Sequence, residues 1–243
     1  GNAFVQNPTR GLADRSAPLG SFVRRGDKRG LLALLVLHGA ISSGDHENGW
    51  SASYPLPVWA RAFDTTKNAE LTSASTAASK VIKRLVDQQL ILRTSGKKRW
   101  VKLTLLQPDG SGAPYERPKS GFLQLPHTFW SDRWDEKLSL AAIAMLLVAL
   151  HEKPEFELAT ERMRAWYGFS PDTAERGFAE LRDHGLISWR KRGKKAPLAP
   201  EGITYVNVYK LTGTFSRSGP TTLTAEMLAD SFSTTPRPQG DAS

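Results

Sequence analysis

The sequence predicts an α+β, mostly helical fold of two similar modules in tandem, each with three helices and a β-hairpin. Three observations lead there. One segment is written twice at a shift of 96, as AASKVIKRLVDQQLILRTSGKK at residues 77–98 and TAERGFAELRDHGLISWRKRGKK at residues 173–195. Ala78 aligns with Ala174, Lys80 with Arg176, Ile82 with Phe178, Leu85 with Leu181, Asp87 with Asp183, and Leu90-Ile91 with Leu186-Ile187. Each copy keeps an apolar helical face followed by a basic turn. Upstream of each copy lies a run that is apolar almost all round, residues 29–41 and 139–151, as expected of a buried helix. Between the copies, residues 107–121 are rich in Pro and Gly and make the best boundary.

Residues 1–28 mix Gly, Pro, Ser and Arg without periodicity and read as a flexible N-terminal arm that could touch the core near Phe22-Val23. The first module spans 29–106. Its buried helix is followed by a long polar loop at 42–56 and a short helix at 57–63 that opens with Pro57. A longer helix covers 73–89, with Ala78, Val81, Ile82 and Leu85 recurring at three and four. Residues 91–93 and 100–106 alternate as strands around the turn Thr94-Ser95-Gly96-Lys97. The second module spans 122–213. It opens with apolar residues at 122–125 and an aromatic segment at 127–134, before its buried helix, which Pro154 stops. A helix at 158–167 ends at Gly168. The next begins with Ser170 as cap, Pro171 at its first position and Asp172 against the positive end of its dipole. Strands at 186–189 and 204–211 follow, joined by a basic loop at 190–202. Residues 214–243 read as a largely disordered tail with a short amphipathic helix at 224–232.

The 243 residues carry a formal net charge of +9 and no cysteine. The charge favours an anionic partner. The lack of cysteine removes disulfides, thiolate metal sites and cysteine nucleophiles, and suits a reducing compartment. The apolar run at 138–150 is too short to span a bilayer, and no charged-then-apolar leader opens the sequence. A cytoplasmic, nucleoid-associated protein with no membrane partner is expected.

The S-x-x-T-A…L-x-x-x-G-L-I run in Ser170-Pro171-Asp172-Thr173-Ala174…Leu181…Gly185-Leu186-Ile187, followed by a basic hairpin, resembles bacterial winged-helix DNA-binding proteins. Tandem winged helices of this size are similar to plasmid or phage replication initiators and to transcription regulators. The resemblance covers residues 29–106 and 122–213. The first copy departs from it at Gln88-Gln89, where the helix-ending Gly is missing. The resemblance implies double-stranded DNA as partner, with the third helix in the major groove and the hairpin, the wing, on flanking backbone or minor groove. In the first module the implied contacts are Ser73, Ser75, Thr76, Ser79, Lys80, Lys83 and Arg84 on the helix, with Arg93, Lys97, Lys98 and Arg99 on the wing. In the second they are Ser170, Asp172 and Arg176 on the helix, with Arg190, Lys191, Arg192, Lys194 and Lys195 on the wing. Glu175 and Glu180 nearly cancel the positive charge of the second helix. The first module is therefore expected to read sequence, and the second to anchor through its wing. If about six phosphates are neutralised, log K falls with log salt at a slope of about −5.

The alternative is a protein-interaction scaffold like the tandem winged helices that dock on kleisin subunits, with weak non-specific DNA contact. A homodimer or a protein partner could use either module. Trp50, Tyr54, Trp59, Phe63, Trp130, Trp134 and Trp166 are expected in core and interdomain packing rather than base stacking. Catalysis is not expected, nor any cofactor. Asp45-His46-Glu47 are adjacent and do not converge on one ion. No G-x-x-x-x-G-K-[ST] phosphate loop occurs. His38 and His151 sit at the ends of the two buried helices, where capping or helix-end charge accounts for them.

Overall fold

The same order of elements is built twice. In the first half a buried helix α2 (Lys28–Ala40) is followed by β1 (Ser51–Pro55), a short helix α3 (Leu56–Ala62), a long helix α4 (Leu71–Asp87) and strands β2 (Ile91–Ser95) and β3 (Trp100–Leu105). In the second half, after the one-turn helices α5 (Thr128–Ser131) and α6 (Trp134–Lys137), α7 (Leu140–His151) is followed by β4 (Glu155–Glu157), α8 (Met163–Tyr167), α9 (Pro171–Asp183), β5 (Ile187–Lys195) and β6 (Ile203–Leu211). Each half carries a three-stranded antiparallel sheet, in the orders β1-β3-β2 and β4-β6-β5. The chain is α+β. The computed structural model describes residues 2–9, 11–41, 49–66, 70–95, 100–195, 197 and 202–217; the expected helix at 224–232 lies outside them.

Residues 1–28 are not an irregular arm. Pro18–Arg24 form the helix α1, and Leu19 and Phe22 on it are fully buried. Phe4, at the end of a 3-10 turn, meets Phe22 at 6.0 Å between ring centroids. Arg24 donates to the Gly168 carbonyl at 2.5 Å, the Arg15 backbone N–H to Ala165 at 2.6 Å, and Lys28 Nζ to Leu138 at 2.6 Å. The N-terminal segment thus ties the first half to the second. Gly20 permits that approach: a Cβ there would stand 2.5 Å from the Tyr167 carbonyl oxygen. Of the apolar stripe Leu19, Phe22 and Val23, only the contact near Phe22-Val23 is legible in sequence; the helix is not, because a Gly/Pro/Arg-rich segment this short carries no periodicity.

Four further readings are revised. The expected loop at 42–56 contains β1, which pairs with β3 from Ser51↔Thr104 to Pro55↔Trp100. The three-residue strand β4 was not foreseen; it pairs with β6 through Phe156↔Tyr209. A hairpin becomes a three-stranded sheet in each half as a result. The basic residues expected in a loop at 190–202 instead lengthen β5 through Lys195, in register with β6. Residues 106–115 fold back on the first half: Leu106 bridges Pro114, and Tyr115 packs edge-on against His38 and Trp50, each at 5.3 Å.

The two halves end their long helices identically despite Gln88-Gln89. Leu90 N–H donates to Leu85 and Leu186 N–H to Leu181, the six-to-one bond of a Schellman stop. The left-handed residue is Gly185 (φ 67°) in one and Gln89 (φ 56°) in the other. The aromatic residues pack largely as expected. Trp59 and Phe63 are buried and stacked at 5.7 Å, and Trp59 Nε1 donates to the Val101 carbonyl at 3.0 Å, tying α3 to β3. Trp134 packs against His184 and Phe215.

Candidate nucleic-acid interface

Both long helices are amphipathic and bury the periodic side: Ala74, Ala78, Val81, Ile82 and Leu85 on α4, and Ala174, Gly177 and Leu181 on α9. What they leave outside differs. Along the first three turns of α4, Ser73, Thr76 and Lys80 are exposed and Ser75 and Ser79 half-buried. Among the described residues no side chain caps α4: its N-cap residue, Glu70, makes no capping bond, and the first turn itself carries no acid. Beyond Glu70 the side chains of the first turns include the short hydroxyls Thr72, Ser73, Ser75 and Thr76, which with the uncapped N–H groups suit phosphate or base-edge acceptors. Thr76 Oγ1 donates back to the Thr72 carbonyl at 3.1 Å. Lys80 makes no ion pair among the described residues, whereas Lys83 pairs with Asp87 at 2.9 Å on the solvent side.

The start of α9 is closed. Ser170 accepts from the Thr173 N–H at 3.2 Å and bonds its hydroxyl at 2.9 Å, so this side chain is a cap. Asp172 and Arg176 pair with each other at 3.1 Å, both exposed. Glu180 bonds the Ser139 backbone N–H at 2.7 Å and the Ser139 hydroxyl, fastening α9 to the first turn of α7. Helix α9 carries four acids, Asp172, Glu175, Glu180 and Asp183, against two cations, Arg176 and Arg182, so its charge is net negative.

Arg84 occupies the position equivalent to Glu180 and is likewise structural. Its guanidinium donates to both carboxyl oxygens of Asp27 at 2.7 and 2.9 Å, while Asp27 caps α2 by accepting from the Gly30 N–H at 2.9 Å. The Asp27 side chain is only 9% exposed. Burial alone would raise its pKa, but the bonds from Arg84 and Gly30 outweigh it and hold the carboxyl below its usual value.

The two basic hairpins are less uniform than their composition implies. Arg93 on β2 is exposed without an ion pair among the described residues; Lys97, Lys98 and Arg99 lie outside those residues. On β5, Arg190 pairs with Glu155 at 3.0 Å, and Arg192 and Lys194 (3.4 Å) with Glu157. Lys191 and Lys195 alternate onto the opposite face and have no ion pair among the described residues. The structure thus draws Ser73, Thr76, Lys80, Arg93, Lys191 and Lys195 out as side chains still available to a ligand. It commits Arg84 and Ser170 to internal bonds and partly neutralises Lys83, Arg176, Arg190, Arg192 and Lys194. Sequence reasoning passed over Trp189 (45% exposed) and Tyr205 (67% exposed), which share the Lys191 face. The signal was the alternation of Trp189, Lys191 and Lys195, obscured because 190–202 reads as a loop.

His38 does not carry helix-end charge. Burial pushes its pKa down to about 4, and burial also lowers that of His151, so both imidazoles are neutral at pH 7. Among the described residues no group of three His, Cys, Asp or Glu could hold a metal ion, and no helix is long and apolar enough to cross a membrane. Asp45-His46-Glu47 lie outside those residues. No protein-family model matches the sequence, and no curated protein matches it.

Proposed function

We propose that this chain binds double-stranded DNA site-specifically through two tandem winged-helix domains, as a transcription regulator or a plasmid or phage replication initiator. One observation carries the reading. Helix α4, 17 residues long, presents hydroxyls on its first turns and Lys80 near its middle, with no acid inside its first turn, in a unit that continues directly into a basic hairpin. A helix so equipped suits the major groove, with the hairpin on the neighbouring backbone. The twofold repetition of the unit supports two contacts along one duplex. The bonds from Arg15, Arg24 and Lys28 to the second half would hold their separation.

The division of labour follows from the charges. Helix α4 reads bases, while α9, with its cap closed and its ions paired, adds little; β5 supplies backbone contact through Lys191 and Lys195. The self-paired face of α9 also fits a protein partner, the specific observation that favours the scaffold reading for the second module.

Selection of bound duplexes from a random library, at low and near-physiological salt, tests the proposal. Enrichment of one motif with two half-sites about ten base pairs apart is the expected result. A direct repeat would fit the head-to-tail modules and point to an initiator. Salt-sensitive binding without a motif would overturn site-specific reading and turn the search to a protein partner.

A further inference from the structure

The β5–β6 hairpin has two faces of opposite character. On one, Arg190, Arg192 and Lys194 are bonded to Glu155 and Glu157 of β4. On the other, Trp189, Lys191, Gly193 and Lys195 stand across from Tyr209, Asn207, Tyr205 and Ile203. Near the body of the protein this second face is packed, since Tyr209 stacks on Phe178 of α9 at 4.5 Å with the rings 7° from parallel. Beside Tyr209, Trp189 is already 45% exposed, and further out Ile203 (48% exposed) and Tyr205 remain open. Neither Trp189 nor Tyr205 has a ring partner among the described residues.

We infer that this face is a stacking platform for unpaired nucleotides, taking single-stranded nucleic acid in addition to the duplex contacts proposed above. In a duplex each base face is covered by its neighbours, leaving edges and phosphates; an exposed indole or phenol ring finds a base face only where the strand is unstacked. Aromatic rings interleaved with cations form the sequence-tolerant pattern for such strands. The geometry separates the bases. Trp189 and Gly193, the partner of Tyr205, lie four positions apart on β5, about 13 Å at the usual strand rise. Stacked neighbours are roughly 3.4 Å apart, so the two rings take bases splayed from each other. Lys191 lies between them and Lys195 just beyond, placed for the intervening phosphates. At Gly193 a Cβ would meet Ile203 Cγ2 at 3.5 Å and Tyr205 Cε1 at 3.9 Å, so both side chains lean over the glycine on this face. The five cations of residues 190–195 exceed the two glutamates bonded to them, so the hairpin suits a polyanion rather than an apolar protein segment.

The inference does not depend on sequence-specific duplex reading and is tested apart from it. The full chain and its Trp189→Ala/Tyr205→Ala variant are titrated by fluorescence anisotropy with labelled 15-mers of thymidine and of uridine, and with a random 15-base-pair duplex. Unchanged circular dichroism and thermal midpoint show that the fold survives; the exposed rings predict that it does. The expected result is a single-strand affinity lower by at least about fivefold per ring, about 25-fold in all, with duplex affinity within about twofold. The Trp189→Phe/Tyr205→Phe variant should keep most single-strand binding. The tighter of the two 15-mers then identifies DNA or RNA as the source of the strand. Equal losses on duplex and single strand, or no loss on single strand, would overturn the platform.

Discussion

The two halves lock the long helix to the buried helix at the same place with opposite charges. In the first, the cap of α2 is the carboxylate Asp27 and the lock is Arg84; in the second, the cap of α7 is the hydroxyl Ser139 and the lock is Glu180. The lock positions, 84 and 180, are equivalent in the repeat. Geometry has been kept while chemistry was inverted, and the consequence reaches the surface. A cationic lock leaves α4 with hydroxyls and Lys80 outward. An acidic lock on α9 joins Asp172 and Glu175 in offsetting the cations of that helix. The same unit therefore turns hydroxyls and an unpaired lysine outward in one copy and a net acidic helix surface in the other.

Helix spacing is where exchanging the halves should cost most. Gly177 lets α9 approach α7 so closely that a Cβ would stand 2.5 Å from the Ala141 carbonyl oxygen and 2.7 Å from Met145 Cγ, whereas the equivalent Val81 is accommodated and buried. Gly177→Val should destabilise the protein by about 3 kcal/mol in urea unfolding, because backbone must move to admit it. A loss below about 1 kcal/mol would mean that the α7–α9 contact yields easily.

Protonation separates folded from unfolded chain at the ends of the buried helices. With its pKa down to about 4, His38 contributes stability fully present above the unfolded value near 6.5 and lost as pH falls toward 4. His38→Gln should flatten that decline by about 2 kcal/mol between pH 7 and 4.5. His151→Gln should act in the same direction, burial lowering that group too. A variant with the parent's pH profile would show that His38 protonates freely in the fold.

The locks themselves should be unequal. Arg84→Ala strands the nearly buried Asp27 carboxylate and should cost about 2 kcal/mol, against about 1 kcal/mol for Glu180→Ala, which leaves an exposed Ser139 to water. Equal losses would contradict the contrast. The smallest expected effect is a gain. Gln89 holds the left-handed conformation that Gly185 holds in the other half, and Gln89→Gly should stabilise by about 0.5 kcal/mol in thermal unfolding.

The repeat, the buried helices and the Ser170-Pro171 start of α9 were legible because they rest on local periodicity and capping chemistry. Strands β1 and β4 were not, since three or five residues next to polar loop carry no period of their own; pairing with β3 and β6 decides them. Helix α1 was hidden for a similar reason, its burial depending on surfaces more than a hundred residues away. In the candidate site, residue type marked the basic clusters, but it could not show which cations are already spent. Arg84 lies among apparent contact residues in sequence and bonds Asp27, 57 positions away. Glu155 and Glu157 neutralise one face of β5 from a strand 35 to 37 residues upstream. Long-range ion pairing decides which charges remain, and no local pattern records it.

The division of roles between the halves can be measured directly. Lys80→Ala/Lys83→Ala and Lys191→Ala/Lys195→Ala would be compared on the selected duplex and on a scrambled one at fixed salt. The first pair is expected to collapse the ratio of specific to non-specific affinity, and the second to lower both affinities alike and reduce the salt slope by about two. A selective loss from the β5 pair, with specificity intact in the α4 pair, would contradict this division of roles.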